Sequence, residues 1–280
     1  MHLYFTKMQG LGNDFIVIDS LSQNVKINAE KIQKLADRNL GIGCDQVLFI
    51  EPPKNPNIDF NYRIFNADGS EVQQCGNGAR CLGKYVTDKN LTGKKSIRVS
   101  TINREILIEI LDDKNILVEM GVPEFNPEKI PFIVNDKVEK LGHEYKLKLP
   151  KGEENLIAVS MGNPHAIITT KNIDEAPLKH LGPILESHPN FPENVNVTFM
   201  QILSRNEIKI RVFERGVGET QACGTGACAA VAAGIKNNKL NNDVRVKLLG
   251  GELKIHWQGE SKSLVMSGAA TTVFEGKINI

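Results

Sequence analysis

Two cysteines have the spacing most suggestive of chemistry in this chain. Cys75 opens the run CGNGAR and Cys223 opens CGTGAC, so each stands just before a Gly-x-Gly-Ala turn that leads into a helical pattern. The first N–H groups of a helix lack an internal partner and carry partial positive charge. A thiol placed there is expected to have its pKa lowered from about 8.5 toward neutrality. It can then take a proton when ionised and give one when not. The same N–H groups, which glycine leaves open to close approach, can hold a carboxylate. Two such units facing each other across one cleft would suit inversion of a stereocentre. One thiolate removes the α-proton from one face, the other thiol protonates the opposite face, and the N–H donors steady the enolate-like charge.

Three plainer readings compete. A free cysteine is more often an inert core residue. That suits Cys44, Cys81 and Cys228, but Cys75 and Cys223 occupy the same helix start twice. Cys75 and Cys81 lie six residues apart and Cys223 and Cys228 five, spacings that point each pair to different helix faces. The six histidines, at 2, 143, 165, 180, 188 and 256, are dispersed, so no metal is expected. The glycine runs lack both the Lys-Ser/Thr of a Walker loop and a full GxGxxG, which argues against a nucleotide site.

The elements that must position these thiols are themselves repeated. YRIFNADGSEVQQCGNGA (62–79) aligns without a gap on IRVFERGVGETQACGTGA (210–227), at an offset of 148. LGNDFIVI (11–18) aligns on MGNPHAII (161–168), and QVLFI (46–50) on NVTFM (196–200), at an offset of 150. The order of pieces is the same in both halves, which implies two homologous domains related by a pseudo-twofold axis, a duplication rather than a solenoid. Strand-like runs are predicted at 15–18, 46–50, 58–65, 96–100, 106–111 and 116–120, then at 144–149, 157–160, 166–169, 208–213, 244–248 and 253–257. Helices are predicted near 29–39, 76–88, 178–187 and 224–237. The last of these is small and apolar nearly all round, so it should be buried on every side. The expectation is an α+β fold in which each domain wraps a mainly antiparallel sheet around a central helix. The Gly- and Pro-containing stretch Gly121 to Ile130 is the natural junction.

Several amides sit in the repeated motifs: Asn13 opposite Asn163, Gln46 opposite Asn196, and Asn66 opposite a carboxylate, Glu214. Singly, asparagine beside glycine reads as turn chemistry. As three matched pairs they point to contact with a polar substrate. The halves also differ: Glu214 replaces Asn66, Arg215 replaces Ala67 and His165 replaces Phe15. Arg215 could clamp a second carboxylate, and Glu214 could assist the cysteines in proton transfer, whereas a lone histidine such as His165 is usually structural.

Bulk properties narrow the class. The 280 residues are 41% apolar with a formal net charge of +1. That balance gives no electrostatic reason to expect a nucleic-acid or anionic-membrane partner. No run approaches the roughly 18 apolar residues of a membrane span. Met1 to Gly10 lacks the order of a signal peptide. Five cysteines, odd in number and sparse, fit a reducing cytosol.

The segments GLGNDFIVID, GIGCDQVL, FNADGSEVQQCGNGARC, SMGNPH, NVNVTF and RVFERGVGETQACGTGACA together closely resemble diaminopimelate epimerases, over essentially the whole chain. The resemblance implies conversion of LL-diaminopimelate to the meso form, for lysine and peptidoglycan precursors, with no cofactor and no metal. It implies that Cys75 and Cys223 are the acid–base pair, tuned by His165 and Glu214. Substrate contacts would come from Asn13, Gln46, Asn66, Asn163, Asn196, Glu214 and Arg215, with the Gly76–Asn77 and Gly224–Thr225 backbones. It implies a cytoplasmic homodimer with diaminopimelate as its small-molecule partner, although Phe274 stands where many relatives carry a tyrosine at the dimer contact. The similar fold implies that the last strand returns to the first domain, giving expected domains of 1–120 plus 270–280, carrying Cys75, and 121–269, carrying Cys223. A proline-type racemase of the same fold and a non-catalytic amino-acid-binding protein are the rival functions. The two cysteines disfavour phenazine-pathway isomerases, which lack the pair, and dehydratases, which lose one.

Overall fold

The computed structural model describes residues 2–26, 28–73, 75–112, 114–136 and 138–279, so the terminal positions 1 and 280 of the expected first domain lie outside the described residues. The chain runs β1 (His2–Gly10), β2 (Asn13–Asp19), α1 (Ala29–Ala36), β3 (Gln46–Glu51), β4 (Phe60–Asn66), β5 (Glu71–Val72), α2 (Gly76–Asp88), β6 (Ser96–Ser100), β7 (Glu105–Ile110) and β8 (Asn115–Gly121). It continues through β9 (Val138–Leu141), β10 (Glu144–Lys148), β11 (Glu153–Ser160), β12 (Pro164–Thr169), α3 (Leu178–Glu186), β13 (Asn196–Ser204) and β14 (Glu207–Glu214). The remainder is β15 (Gly218–Thr220), α4 (Gly224–Lys236), β16 (Asp243–Leu248), β17 (Gly251–His256), β18 (Leu264–Ala269) and β19 (Thr271–Asn279). Two compact units result: Met1–Glu119 with Ser267–Ile280, and Met120–Met266.

In the first unit β1 lies antiparallel to both β2 and β19. β2 runs parallel to β3, β3 antiparallel to β4, β4 parallel to β6, and β6 antiparallel to β7. The second unit repeats this order: β11 antiparallel to β12, β12 parallel to β13, β13 antiparallel to β14, β14 parallel to β16, and β16 antiparallel to β17. Even the register is repeated. Phe15 faces Gln46 as His165 faces Asn196, and Val47 faces Phe65 as Val197 faces Phe213. The sheets are mainly antiparallel, with the parallel pairs where a helix intervenes between strands, because a parallel return needs a crossover.

Each unit has its central helix. α2 packs against β1, β2, β7 and β19, and α4 against β11, β12, β13, β14 and β17. The small residues of α4 are there to be surrounded: Gly224 and every residue from Gly226 to Gly234 are buried. α2 needs glycine for the same reason, since a methyl at Gly78 would collide with the Tyr62 hydroxyl and one at Gly83 would lie 2.8 Å from Ile108. A bidentate ion pair pins the strand that leads to each thiol. Arg63 donates to both Glu71 oxygens at 2.7 and 2.9 Å, and Arg211 to both Glu219 oxygens at 2.6 and 3.0 Å.

Candidate active site

Asn13 and Asn163 each follow a glycine turn. Gly12 has φ +87° and Gly162 φ +94°, a left-handed backbone that glycine adopts without strain. These matched turns start β2 and β12 and set each asparagine at the end of its sheet where the central helix begins.

In the first unit Cys75 is the N-cap residue of α2, with extended backbone. Its thiol donates to Asn13 Oδ1 at 3.7 Å, and Asn77 Nδ2 donates to the same oxygen at 3.2 Å. The Tyr62 hydroxyl donates to the Cys75 carbonyl at 3.1 Å, steadying the helix start. Gln46 and Asn66 are cross-strand partners. Gln46 Nε2 donates to Asn66 Oδ1 at 3.0 Å, and Asn66 Nδ2 to Ser70 Oγ at 3.2 Å. Gln46 Oε1 is buried with no hydrogen-bond partner among the described residues. Gly76 and Asn77 are buried. The first unit thus brings Cys75, Asn13 and Asn77 into one hydrogen-bonded group and Gln46 and Asn66 into another.

In the second unit Cys223 caps α4 and is buried. Its sulfur accepts from Gly226 N at 3.4 Å and lies 3.6 Å from Thr225 Oγ1. Asn163 Nδ2 donates to that Thr225 hydroxyl at 3.4 Å, and His165 Nε2 meets Asn163 Oδ1 at 3.1 Å. His165 therefore connects to Cys223 through Asn163 and Thr225. Because Asn163 offers its oxygen, Nε2 carries the imidazole proton. The other nitrogen, Nδ1, is buried with no hydrogen-bond partner among the described residues. Burial, reinforced by the charge of Arg215, pushes the His165 pKa down to about 3, so the ring is neutral at neutral pH.

Asn196 Nδ2 donates to the Pro164 carbonyl at 2.9 Å, and its oxygen accepts from Arg215 N at 3.0 Å. The Arg215 guanidinium donates to the Glu193 carbonyl at 2.7 Å. Glu214 accepts from the Thr220 hydroxyl at 2.5 Å and bonds to Cys223. Gly224 lies beside Thr225 in the first turn of α4.

One expectation is corrected here. Helix position alone predicts a lowered thiol pKa, but burial raises Cys223 well above the ordinary value, and the negative charge of Glu214 adds to the rise. The bonds from Gly226 N and Thr225 do act downward, as the helix-start argument requires, but desolvation of a fully enclosed thiolate outweighs them. Cys44 and Cys81 are pushed up to about 12 by burial and are inert core thiols.

Sequence reasoning passed over Tyr62, Ser70, Thr220, Asp45 and Arg80. None carried a local signal: in sequence Arg80 is one of several charged residues of a helix that also holds Lys84 and Asp88, and only the structure shows it buried.

A family model described as diaminopimelate epimerase matches residues 5–126 and 157–273. The chain belongs to the diaminopimelate epimerase family. Membership makes it an epimerase or racemase, an isomerase built on two matched units. Among solved structures, a probable proline racemase from Agrobacterium radiobacter, with bound carbonate, is 15% identical with a TM-score of 0.71, covering 99% of this chain and 92% of that one. A hydroxyproline epimerase from Agrobacterium vitis, with bound trans-4-hydroxy-L-proline, is 13% identical with a TM-score of 0.69 and the same coverage. A phenazine biosynthesis family protein from Bacillus anthracis is 15% identical with a TM-score of 0.69, covering 100% of both chains. At these identities the structures share the diaminopimelate epimerase family's fold. None of the helices in the described residues is long and apolar enough to cross a membrane.

Proposed function

We propose that this protein interconverts LL-2,6-diaminopimelate and meso-diaminopimelate without a cofactor, with Cys75 and Cys223 as the paired acid and base. The observation that carries the reading is the duplicated helix start. In each unit a cysteine caps the central helix and is tied to a repeat-matched asparagine, directly for Asn13 and through Thr225 for Asn163. A two-base inversion needs two such thiols, one to take the α-proton and one to give it back. Each helix start adds backbone N–H donors for the carboxylate that takes on enolate character.

Asn13, Gln46, Asn66, Asn163, Asn196, Glu214 and Arg215 contact the substrate in this reading, with the Gly76–Asn77 and Gly224–Thr225 backbones. Arg215 takes the distal carboxylate, and His165 and Glu214 tune proton transfer. The product serves lysine and peptidoglycan precursors in the cytoplasm, and the enzyme works as a homodimer.

The test is epimerisation of LL-diaminopimelate in deuterated water without added cofactor, followed by NMR and chiral chromatography. The wild type should form meso product carrying one solvent deuterium. Cys75→Ala and Cys223→Ala should each lose about a thousandfold in rate, within the range of general acid–base catalysis. The structural likeness to a proline racemase and a hydroxyproline epimerase supports a second reading, that of a proline-type racemase. Turnover of proline by a wild type inert toward diaminopimelate would establish it.

A further inference from the structure

The two thiols sit in hydrogen-bond networks of different construction, and the one around Cys75 is held by charge at both ends. At one end stands Arg80, fully buried in α2. Its Nη2 donates to Asn77 Oδ1 at 3.1 Å and its Nε to the Ala269 carbonyl at 3.2 Å. A guanidinium can only donate, so Asn77 must turn its oxygen toward Arg80 and its NH2 away. That NH2 donates to Asn13 Oδ1.

At the other end stands Asp45, whose Oδ2 accepts from Asn13 Nδ2 at 3.1 Å and from Asp14 N at 3.0 Å. A carboxylate can only accept, so Asn13 must turn its NH2 toward Asp45. Both ends therefore impose the same orientation on Asn13. Its oxygen is what the Cys75 sulfur meets, at 3.7 Å. Asp45 is itself held by Arg38, which bridges Asp45 and Asp14 at 2.8 Å each, and Asp14 pairs with Lys7 at 2.6 Å.

The second unit does not repeat these residues. At the repeat positions of Arg80, Asn77 and Asp45 it carries Cys228, Thr225 and Val195. There the hydroxyl of Thr225 and the N–H of Gly226 face the sulfur.

We propose that Arg80 and Asp45 are positioning residues for Cys75: from opposite ends of the Asn77–Asn13 amide pair they fix an acceptor on its sulfur and so hold Cys75 as the protonated thiol in the free enzyme. This rests on the acid–base role proposed for Cys75 and assigns that role its resting state. Because either clamp alone sets Asn13, the two are redundant, and redundancy has a distinctive signature in a double-mutant cycle.

The test measures Cys75 directly and needs no turnover. The pH midpoint of Cys75 alkylation by iodoacetamide is read by peptide mass spectrometry between pH 6 and 11. The proteins are wild type, Arg80→Met, Asp45→Asn and the double variant. Loss of the buried cation alone raises the midpoint and loss of the carboxylate alone lowers it, and in the double variant these two charge effects oppose each other. What remains is the coupling. With both clamps gone the amide is free to turn its NH2 to the sulfur, and the midpoint should fall about one pH unit below the sum of the single effects, the size expected when a thiolate gains a hydrogen bond and loses a competing acceptor. At fixed pH below the midpoint that is about tenfold faster alkylation.

Tyr62 and Cys81 lie close enough to Cys75 to feel its charge, and Asp14, Lys7 and Arg38 form the ion-pair network around Asp45. Burial keeps Tyr62 and Cys81 protonated through the range. Cys223, Cys44 and Cys81 are read in the same digests. A merely structural role for Arg80 would speed all of them together, and that result overturns the proposal. Strictly additive shifts overturn it as well. Asn77→Leu breaks the same link with Arg80 left in place, and it takes the place of Arg80→Met in the cycle if that variant does not fold. Wild-type epimerisation of diaminopimelate tests the underlying function separately.

Discussion

The buried imidazole of His165 makes the stability of this protein depend on pH in a calculable way. His165 is fully buried, with a pKa pushed down to about 3 from an ordinary value of 6.5. The unfolded ring binds a proton below about pH 6.5 and the folded ring only below about 3, so between those values the unfolded state holds the extra proton. Stability from this group is therefore complete above pH 6.5 and is lost as the pH falls through that window. The slope approaches about 1.4 kcal/mol per pH unit, so about 2 kcal/mol is gone at pH 5. His165→Gln keeps an N–H near the place of Nε2, where it can still reach Asn163, and it removes the titration. Urea unfolding at pH 7.5 and pH 5 should show the wild type losing about 2 kcal/mol more than His165→Gln between the two conditions. All other titrating groups cancel in that difference. Equal losses in the two proteins would refute the argument, because they would mean that the folded ring takes up its proton as easily as the unfolded one.

Further outcomes follow from the same contacts. Glu214→Gln removes the negative charge that helps raise the Cys223 thiol, so alkylation of Cys223 at pH 8 should speed up several-fold while Cys44 and Cys81 stay unreactive; an unchanged rate would show that burial alone sets that thiol. Gly78→Ala should cost about 1–3 kcal/mol through its collision with the Tyr62 hydroxyl, and Tyr62→Phe in the same protein should recover part of that, as read by urea midpoints. On β19, Val273 and Phe274 are 55% and 47% exposed; light scattering at micromolar concentration should give twice the 31.0 kDa chain mass if the proposed homodimer forms, and a monomer mass would retire that part of the function.

Much of the architecture was legible because it is written twice. The offsets of 148 and 150 anticipated the repeated strand register, and the cysteine-glycine starts placed α2 and α4 to within a residue of their observed spans. Other parts carried no local signal. β1 mixes exposed and buried positions without clean alternation, and β19 is exposed along most of its length. They are strands because they pair with each other, His2 opposite Asn279, from the two ends of the chain. The parallel pairing of β2 with β3 depends on the α1 crossover rather than on either strand's own residues. Within the site, Cys75 and Asn13 could be named from sequence, but the clamp on them could not. Asn13 finds Asp45 across 32 positions and Arg80 finds Ala269 across 189. The thiol pKa of Cys223 was misjudged because helix position can be read from sequence, whereas complete enclosure cannot.

The chain threads its two units in a nested order, and that order sets a schedule for synthesis. Residues 120–266 form one unit from continuous sequence, while the other unit is closed only by residues 267–280. A growing chain emerges from its N-terminus and folds as complete units appear. The second unit can therefore be finished on the ribosome while the first still lacks β19, the strand beside β1, and Ala269, whose carbonyl receives Arg80. Nascent chains stalled with residue 266 just exposed should protect 120–266 from protease and leave 2–119 open to it. The first unit to be made is the last to fold, and Cys75 gains its full surroundings only once residues 267–280 have emerged.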